Sequence, residues 1–288
     1  MYININGKLI PKEKACISVF DHGLLYGDGV FETLRTYNGK LFMADEHLNR
    51  LYLSAKQMQL VIPITKQQMK TEIEKTIKKN KLVEAYIRLT VTRGIGEMGL
   101  VKDCKSQFFI IAKEFIAYDV SLYNGVELII SKYSRTLPKI KSINFLANIL
   151  AAREAKEKKA FDALFSHGEE ITECTTSNFY IIKNGKLLTS PRVLDGITRS
   201  IVLKLAEKYL KVEIRKLTKN DLIGCDECFL TNTTMEIVPI VKIDAIIVGK
   251  GKAGKITKQL HVDFKEFIQG YYGKNSKKGK KNRKRKKN

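Results

Sequence analysis

No apolar run in this chain approaches the roughly 20 residues that a membrane-spanning helix requires, so no such helix is expected. The opening Met1-Tyr2-Ile3-Asn4-Ile5 lacks the basic-then-apolar layout of a signal peptide, and the expected location is the cytoplasm. Cysteine is scarce: Cys16, Cys104, Cys174, Cys225 and Cys228 are an odd number and widely spread, which favours reduced thiols over a disulfide framework. Cys225-Asp226-Glu227-Cys228 has redox or zinc spacing, but no second cysteine pair or histidine cluster accompanies it, and apolar Phe229-Leu230 follow as in a strand. No metal is expected.

Acidic residues are the other shortage, 30 against 52 lysines and arginines for a formal charge of +22. The excess is uneven. Ten basic residues and no acidic one lie between Lys274 and Asn288, leaving +12 on the rest of the chain. Such a composition buries no apolar surface, so residues 273–288 are expected to form a disordered basic tail. A solvated, solubilising tail is favoured over salt-sensitive nucleic acid contact.

What is present is ample core material: 44% of 288 residues are hydrophobic, enough for one large or two medium domains. A hairpin is expected over Tyr2 to Ile10 about an Asn6-Gly7 turn. Asp45 is expected to cap a helix with Leu48, Leu51, Tyr52, Ala55 and Met58 on one face, and Thr65 another with Met69, Ile73 and Ile77. Residues 85–93 and 108–112 read as strands, as do 126–133, 162–165 and 178–183. Further helices are expected over 142–159 and 197–210. A composition shift near 118–125 divides the chain into a small N-terminal domain (1–118), a linker (119–125) and a larger C-terminal domain (126–272). Strand runs with few βαβ alternations indicate an α+β fold with barrel-like sheets, not a doubly wound one.

Three dispersed groups carry the chemistry. Lys141, with apolar neighbours at 140, 143, 145 and 146 and a cationic one at 139, has surroundings that lower an amine pKa and make it a nucleophile. Glu173 is a carboxylate suited to a pyridine nitrogen, which it keeps protonated so that the ring accepts electrons. Gly196-Ile197-Thr198-Arg199 opens a helix, where free N–H groups and a hydroxyl suit a phosphate. Arg50 can add charge to that phosphate site, and Thr231-Asn232-Thr233-Thr234 can add hydroxyls. Held together, these groups suit pyridoxal phosphate.

The segments Phe20-Asp21-His22-Gly23-Leu24-Leu25-Tyr26-Gly27-Asp28-Gly29-Val30-Phe31-Glu32, Glu46-His47-Leu48-Asn49-Arg50-Leu51, Ile140-Lys141-Ser142, Thr172-Glu173, Gly196-Ile197-Thr198-Arg199 and Glu236-Ile237-Val238-Pro239 resemble the class IV aminotransferases, the fold-type IV pyridoxal phosphate enzymes. The resemblance spans roughly residues 1–268. It implies covalent attachment of the cofactor to Lys141, Glu173 at the pyridine nitrogen, and Arg50, Ile197, Thr198 and Thr233 around the phosphate. It also implies a homodimer at least, with the site between the two domains, and amino acid and 2-oxo acid substrates. Within the family, Tyr86-Ile87-Arg88 is similar to the branched-chain enzymes, where an arginine here receives the side-chain carboxylate of glutamate. Tyr26, Phe31, Arg35 and Thr234 correspond to further substrate-pocket positions. The expected activity is amino transfer from a branched-chain L-amino acid to 2-oxoglutarate. Three departures keep aminodeoxychorismate lyase as the alternative: Thr33 in place of the usual Gly, Phe145 in place of the usual Tyr, and the Thr231 to Met235 turn. D-amino acid aminotransferase ranks third, because Gly94 to Leu100 lacks that enzyme's paired Arg and His.

Overall fold

The computed structural model of the chain describes the backbone of residues 1–284 and the side chains of 1–272. The first half forms an antiparallel six-stranded sheet from β1 (Tyr2–Ile5), β2 (Lys8–Pro11), β3 (Gly29–Tyr37), β4 (Lys40–Leu41), β5 (Ala85–Gly96) and β6 (Cys104–Glu114), in the order β2-β1-β6-β5-β3-β4. The β1–β2 turn has φ 52° at Asn6 and 85° at Gly7, the two positive values that an Asn-Gly hairpin turn provides at least strain. A short α1 (His22–Tyr26) precedes β3, while α2 (Ala44–Gln57) and α3 (Lys66–Lys79) cover one sheet face. Leu48, Leu51, Met69 and Ile73 from these helices pack on Val30, Leu34, Ile87 and Leu89.

The second half is a mixed ten-stranded sheet, curled as a half-barrel, of β7 (Val126–Ser131), β8 (Asp162–His167), β9 (Glu170–Cys174), β10 (Asn178–Lys183), β11 (Lys186–Thr189), β12 (Lys211–Ile214), β13 (Leu217–Thr218), β14 (Glu227–Asn232), β15 (Glu236–Ile243) and β16 (Ile246–Ile247). Helices α4 (Leu146–Glu157), α5 (Ile197–Ala206), α6 (Lys219–Leu222) and α7 (Lys255–Lys284) accompany it. Phe42, at the edge of the small sheet, sits edge-on to Phe264 at 6.3 Å and Tyr271 at 5.3 Å of α7, so that helix fastens one sheet to the other. Among the described residues no helix is long and apolar enough to cross a membrane.

Local details depart from the sequence expectations in informative places. Asp45 does not cap α2: the helix begins at Ala44 after Met43, whose φ is 50°, and Asp45 and Glu46 occupy the first turn, where carboxylates meet the positive end of the helix dipole. The Thr65 cap does form, with a reciprocal capping box to Gln68. Helix α4 starts at Leu146, not Ser142, because the preceding residues are held by β3. The Phe31 N–H donates to the Lys141 carbonyl and the Ile143 N–H to that of Gly29, both at 2.9 Å. The backbone of 273–284 continues α7, within the 273–288 stretch expected as a disordered basic tail. Residues 285–288 lie outside the described residues.

Candidate active site

Lys141 is placed by a strand-like pairing. Ile140 is anchored in the small-sheet core, Ser142 bridges Val30, and the Lys141 side chain points between the sheets into a cavity lined also by Arg50, Glu173, Ile197, Thr198 and Thr233. Its Nζ lies 4.5 Å from the centre of the Phe31 ring. Desolvation of the amine, and then the positive charge of Arg50, lower its pKa to about 7. A substantial fraction is therefore neutral at physiological pH, as a nucleophile or base requires.

Glu173, at the end region of β9, is buried and surrounded by donors. Arg135 reaches Oε1 at 2.8 Å, while Oε2 accepts from the Leu194 N–H at 3.1 Å and the Asn178 amide at 3.2 Å. Burial raises its pKa above the ordinary carboxylate value, against the opposing pull of Arg135 and the Leu194 N–H. Arg135 is a residue that the sequence reading missed. It lies on an irregular segment, six positions before Lys141, and donates to the carbonyl of Ile140 at 2.5 Å, bracing the residue before the lysine. Only its positive charge near Lys141 in sequence hinted at it. The Thr175-Thr176-Ser177 turn, which lines the cavity directly after Glu173, was also passed over; its signal was a run of short hydroxyl side chains.

At the other end of the cavity α5 opens at Gly196, which makes no side-chain cap bond. The first-turn N–H groups of Ile197 and Thr198 are thus free for an anion. A Cβ on Gly196 would fall 2.1 Å from the Asn178 side-chain oxygen, so only glycine fits. Arg50 crosses from α2 to this point: its Nη1 donates to the Asp195 carbonyl at 3.0 Å, and its Nε and Nη2 grip Glu32 at 2.7 and 2.8 Å. Glu32 also accepts from Nδ1 of His47 at 2.8 Å. Burial opposes ionisation of Glu32, but Arg50 and His47 outweigh it and hold the carboxyl far below its ordinary range. His47 is kept neutral by burial, so its Nδ1 carries the proton donated to Glu32.

A second cavity of about 260 Å³ adjoins the first and shares Lys141, Phe145, Thr176, Asn232 and Thr233 with it. It brings together Phe31, Tyr86, Arg88 and Thr234 of the expected substrate residues, with Thr33, Tyr118 and Met235. The Arg88 guanidinium stacks 3.4 Å from the Phe31 ring centre and makes a 3.4 Å bond to the Thr90 hydroxyl. Phe145 lies edge-on to Phe31 at 5.2 Å. Two expected residues are elsewhere. Arg35 is withdrawn behind the cavity, paired with Glu236 at 3.5 Å and sandwiched between the Tyr37 and Phe115 rings. It shares the sheet face of Phe31 and Thr33, but one step further along β3 that carboxylate and those rings hold it back. Tyr26, on α1 at the outer rim, is exposed, accepts from the Gly99 N–H at 3.0 Å and lines a separate cleft.

The arrangement is that of a known family. Residues 29–243 match the amino-transferase class IV model. The chain belongs to the class IV aminotransferases. It is 41% identical over 282 residues to a Methanocaldococcus jannaschii protein provisionally named a branched-chain-amino-acid aminotransferase, covering 93% of this chain and 96% of that one. It is 37% identical over 278 residues to a D-alanine aminotransferase of Listeria monocytogenes, with coverages of 93% and 96%. Among solved structures, the branched-chain amino acid aminotransferase of Escherichia coli superposes with a TM-score of 0.86 at 29% identity, covering 91% of this chain and 93% of that one.

The family's cofactor is pyridoxal phosphate, and the residues present fit it. The uncapped start of α5 offers free N–H groups, with the Thr198 and Thr233 hydroxyls and the Arg50 charge on the same cavity. Glu173 Oε1 receives one donor and so retains a lone pair for a ring nitrogen. Lys141 supplies an amine of lowered pKa.

Proposed function

We propose that this class IV aminotransferase transfers the amino group of a branched-chain L-amino acid to 2-oxoglutarate. The observation that carries the reading is Arg88. It lies in the second cavity over the Phe31 ring, and among the described residues no carboxylate pairs with it. A partly buried guanidinium that makes no ion pair, and feels only the more distant charge of Glu32, invites a substrate carboxylate. Phe31, Tyr86 and Met235 line the same space, so it can take an apolar side chain in one half-reaction and an acidic one in the other.

In this reading Ile197, Thr198, Thr233 and Arg50 hold the phosphate, and Glu173 holds the ring nitrogen in its protonated form. When bound, the cofactor supplies an electron sink for the charge left as the substrate α-proton departs. The neutral Lys141 amine would take that proton at Nζ and return it as general acid. Arg135 orients Glu173 and favours its ionised form against the opposing effect of burial. Thr234 and Tyr86 position the substrate, with Phe31 as the wall between Lys141 and Arg88.

The protein acts as a homodimer in this proposal. Leu24, Tyr26, Met98 and Leu100 are exposed at one rim, and Tyr26 and Leu100 line a cleft of about 520 Å³ that also includes Arg135. A second copy would cover this apolar rim. Light scattering of the holoenzyme should give a dimer; a monomer at micromolar concentration would contradict this part.

Steady-state assays test the substrate reading. L-leucine with 2-oxoglutarate should yield L-glutamate. Turnover of D-alanine instead would favour the D-amino acid reading, to which the Listeria relative lends support. Release of 4-aminobenzoate from aminodeoxychorismate would favour the lyase reading that Thr33 and Phe145 motivate.

A further inference from the structure

Behind the Asn232 to Met235 turn that walls the second cavity, one carboxylate gathers groups from two other elements. Glu236, the first residue of β15, is 8% exposed. Its Oε1 accepts from the Tyr37 hydroxyl of β3 at 2.9 Å and faces the Arg35 guanidinium at 3.5 Å. Its Oε2 accepts from Nε2 of His261 on α7 at 2.9 Å. Burial favours protonation of Glu236, but the His261 and Tyr37 donors and the Arg35 charge hold its pKa below the ordinary value. The group is an ionised acceptor at neutral pH.

The same cluster touches the turn itself. Arg35 donates to the Thr234 carbonyl at 3.4 Å, and the Tyr123 hydroxyl donates to that of Met235 at 3.4 Å while its ring lies 4.7 Å from His261. From the other side the Asn232 side-chain oxygen accepts from the Thr234 and Met235 N–H groups at 3.0 and 2.7 Å. Glu236 has φ 63°, a left-handed conformation that persists in a long side chain only where its surroundings fix it. Removing those contacts frees the chain to leave that conformation. Thr234 and Met235, immediately upstream, then lose their place in the cavity.

We propose that Glu236 is a positioning residue: by tying β3 and α7 to the 232–235 turn it fixes Thr234 and Met235 against the bound amino acid and so sets substrate affinity. The proposal rests on the reading of the second cavity as the substrate site. It explains why Arg35, expected in the pocket, stands behind it.

The test compares Glu236→Gln, Tyr37→Phe and His261→Gln as holoenzymes, measuring KM and kcat for the amino donor the parent protein uses best, with the absorbance of the bound cofactor. In Glu236→Gln the donor KM should rise about tenfold or more, the scale of one lost charge-assisted contact. The single-contact variants should show about threefold to fivefold increases. kcat should stay within about threefold and the cofactor absorbance should be unchanged. The proposal is overturned if KM stays within about twofold in all variants, or if cofactor retention and kcat fall as KM rises, as general loosening would produce. Should Glu236→Gln not fold, the Tyr37 and His261 variants decide alone. A parent protein that converts no amino donor removes the substrate reading, and this proposal with it; an active parent with unmoved variants removes only the proposal.

Discussion

The two cavities that meet at Lys141 are built on different terms. Around Glu173 each oxygen already has a donor: Arg135, Asn178 and the Leu194 N–H converge on one carboxylate, and Arg50, Glu32 and His47 form a second closed set beside α5. Such density of contacts fixes atoms to a fraction of an ångström and suits a constant ligand. Around Arg88 the contacts are sparse, one long hydrogen bond to Thr90 and the face of Phe31. That end is furnished by both sheets, through β3, β5 and the turn after β14, and its cation waits for a partner. Chemistry common to a family belongs in the first kind of site, and choice among substrates in the second.

Substitutions should expose this division. The largest effect is expected from Lys141→Ala, which removes the nucleophile and base and should cost at least about 10³-fold in kcat with every substrate while the circular dichroism spectrum stays that of the parent. Retained turnover would break the comparison at its centre. Glu173→Gln should lower kcat by about 10²-fold, again alike for all donors, since on the proposed reading the ring nitrogen loses its carboxylate partner. Arg88→Ala should act selectively, raising KM for L-glutamate and 2-oxoglutarate by about tenfold to a hundredfold and that for L-leucine far less; equal losses on both would merge the two ends into one.

The smallest predicted effect is a matter of pH. On the proposed reading the neutral form of Lys141 attacks the cofactor, and its pKa is lowered to about 7 from 10.5. The rate of cofactor attachment to the apoprotein should therefore climb as pH rises to about 7 and level off above it. Stopped-flow absorbance reads this directly. A rate that keeps rising tenfold per pH unit to about 10 would mean an ordinary, solvated lysine.

At the cofactor end Lys141, Glu173, Gly196-Ile197-Thr198 and Arg50 are weak signals taken singly, and it was their joint order along the chain that grouped them; they line one cavity. Arg135 was not legible, because it lies on an irregular segment where no periodicity gives a direction. The start of α4 was misplaced for a related reason: the pairing of Lys141 and Ile143 with β3 is a contact across more than a hundred residues, and helix propensity in Ser142 to Phe145 yields to it. Arg35 and Tyr26 show the limit of correspondence by position, for one is sequestered by Glu236 and two aromatic rings and the other faces the rim. The fold fared better. The period-2 strands, the Asn6-Gly7 hairpin and the Thr65 cap are local signals, whereas the order of ten strands in the larger sheet is set by contacts that no local pattern records.

The most direct measurement is the absorbance of the purified holoenzyme after adding L-leucine, L-glutamate or D-alanine separately, with no acceptor present. The account predicts that L-leucine and L-glutamate each shift the bound cofactor from its lysine-linked band to the pyridoxamine phosphate band, and that D-alanine does not. Conversion by D-alanine alone, or by none of the three, would contradict it.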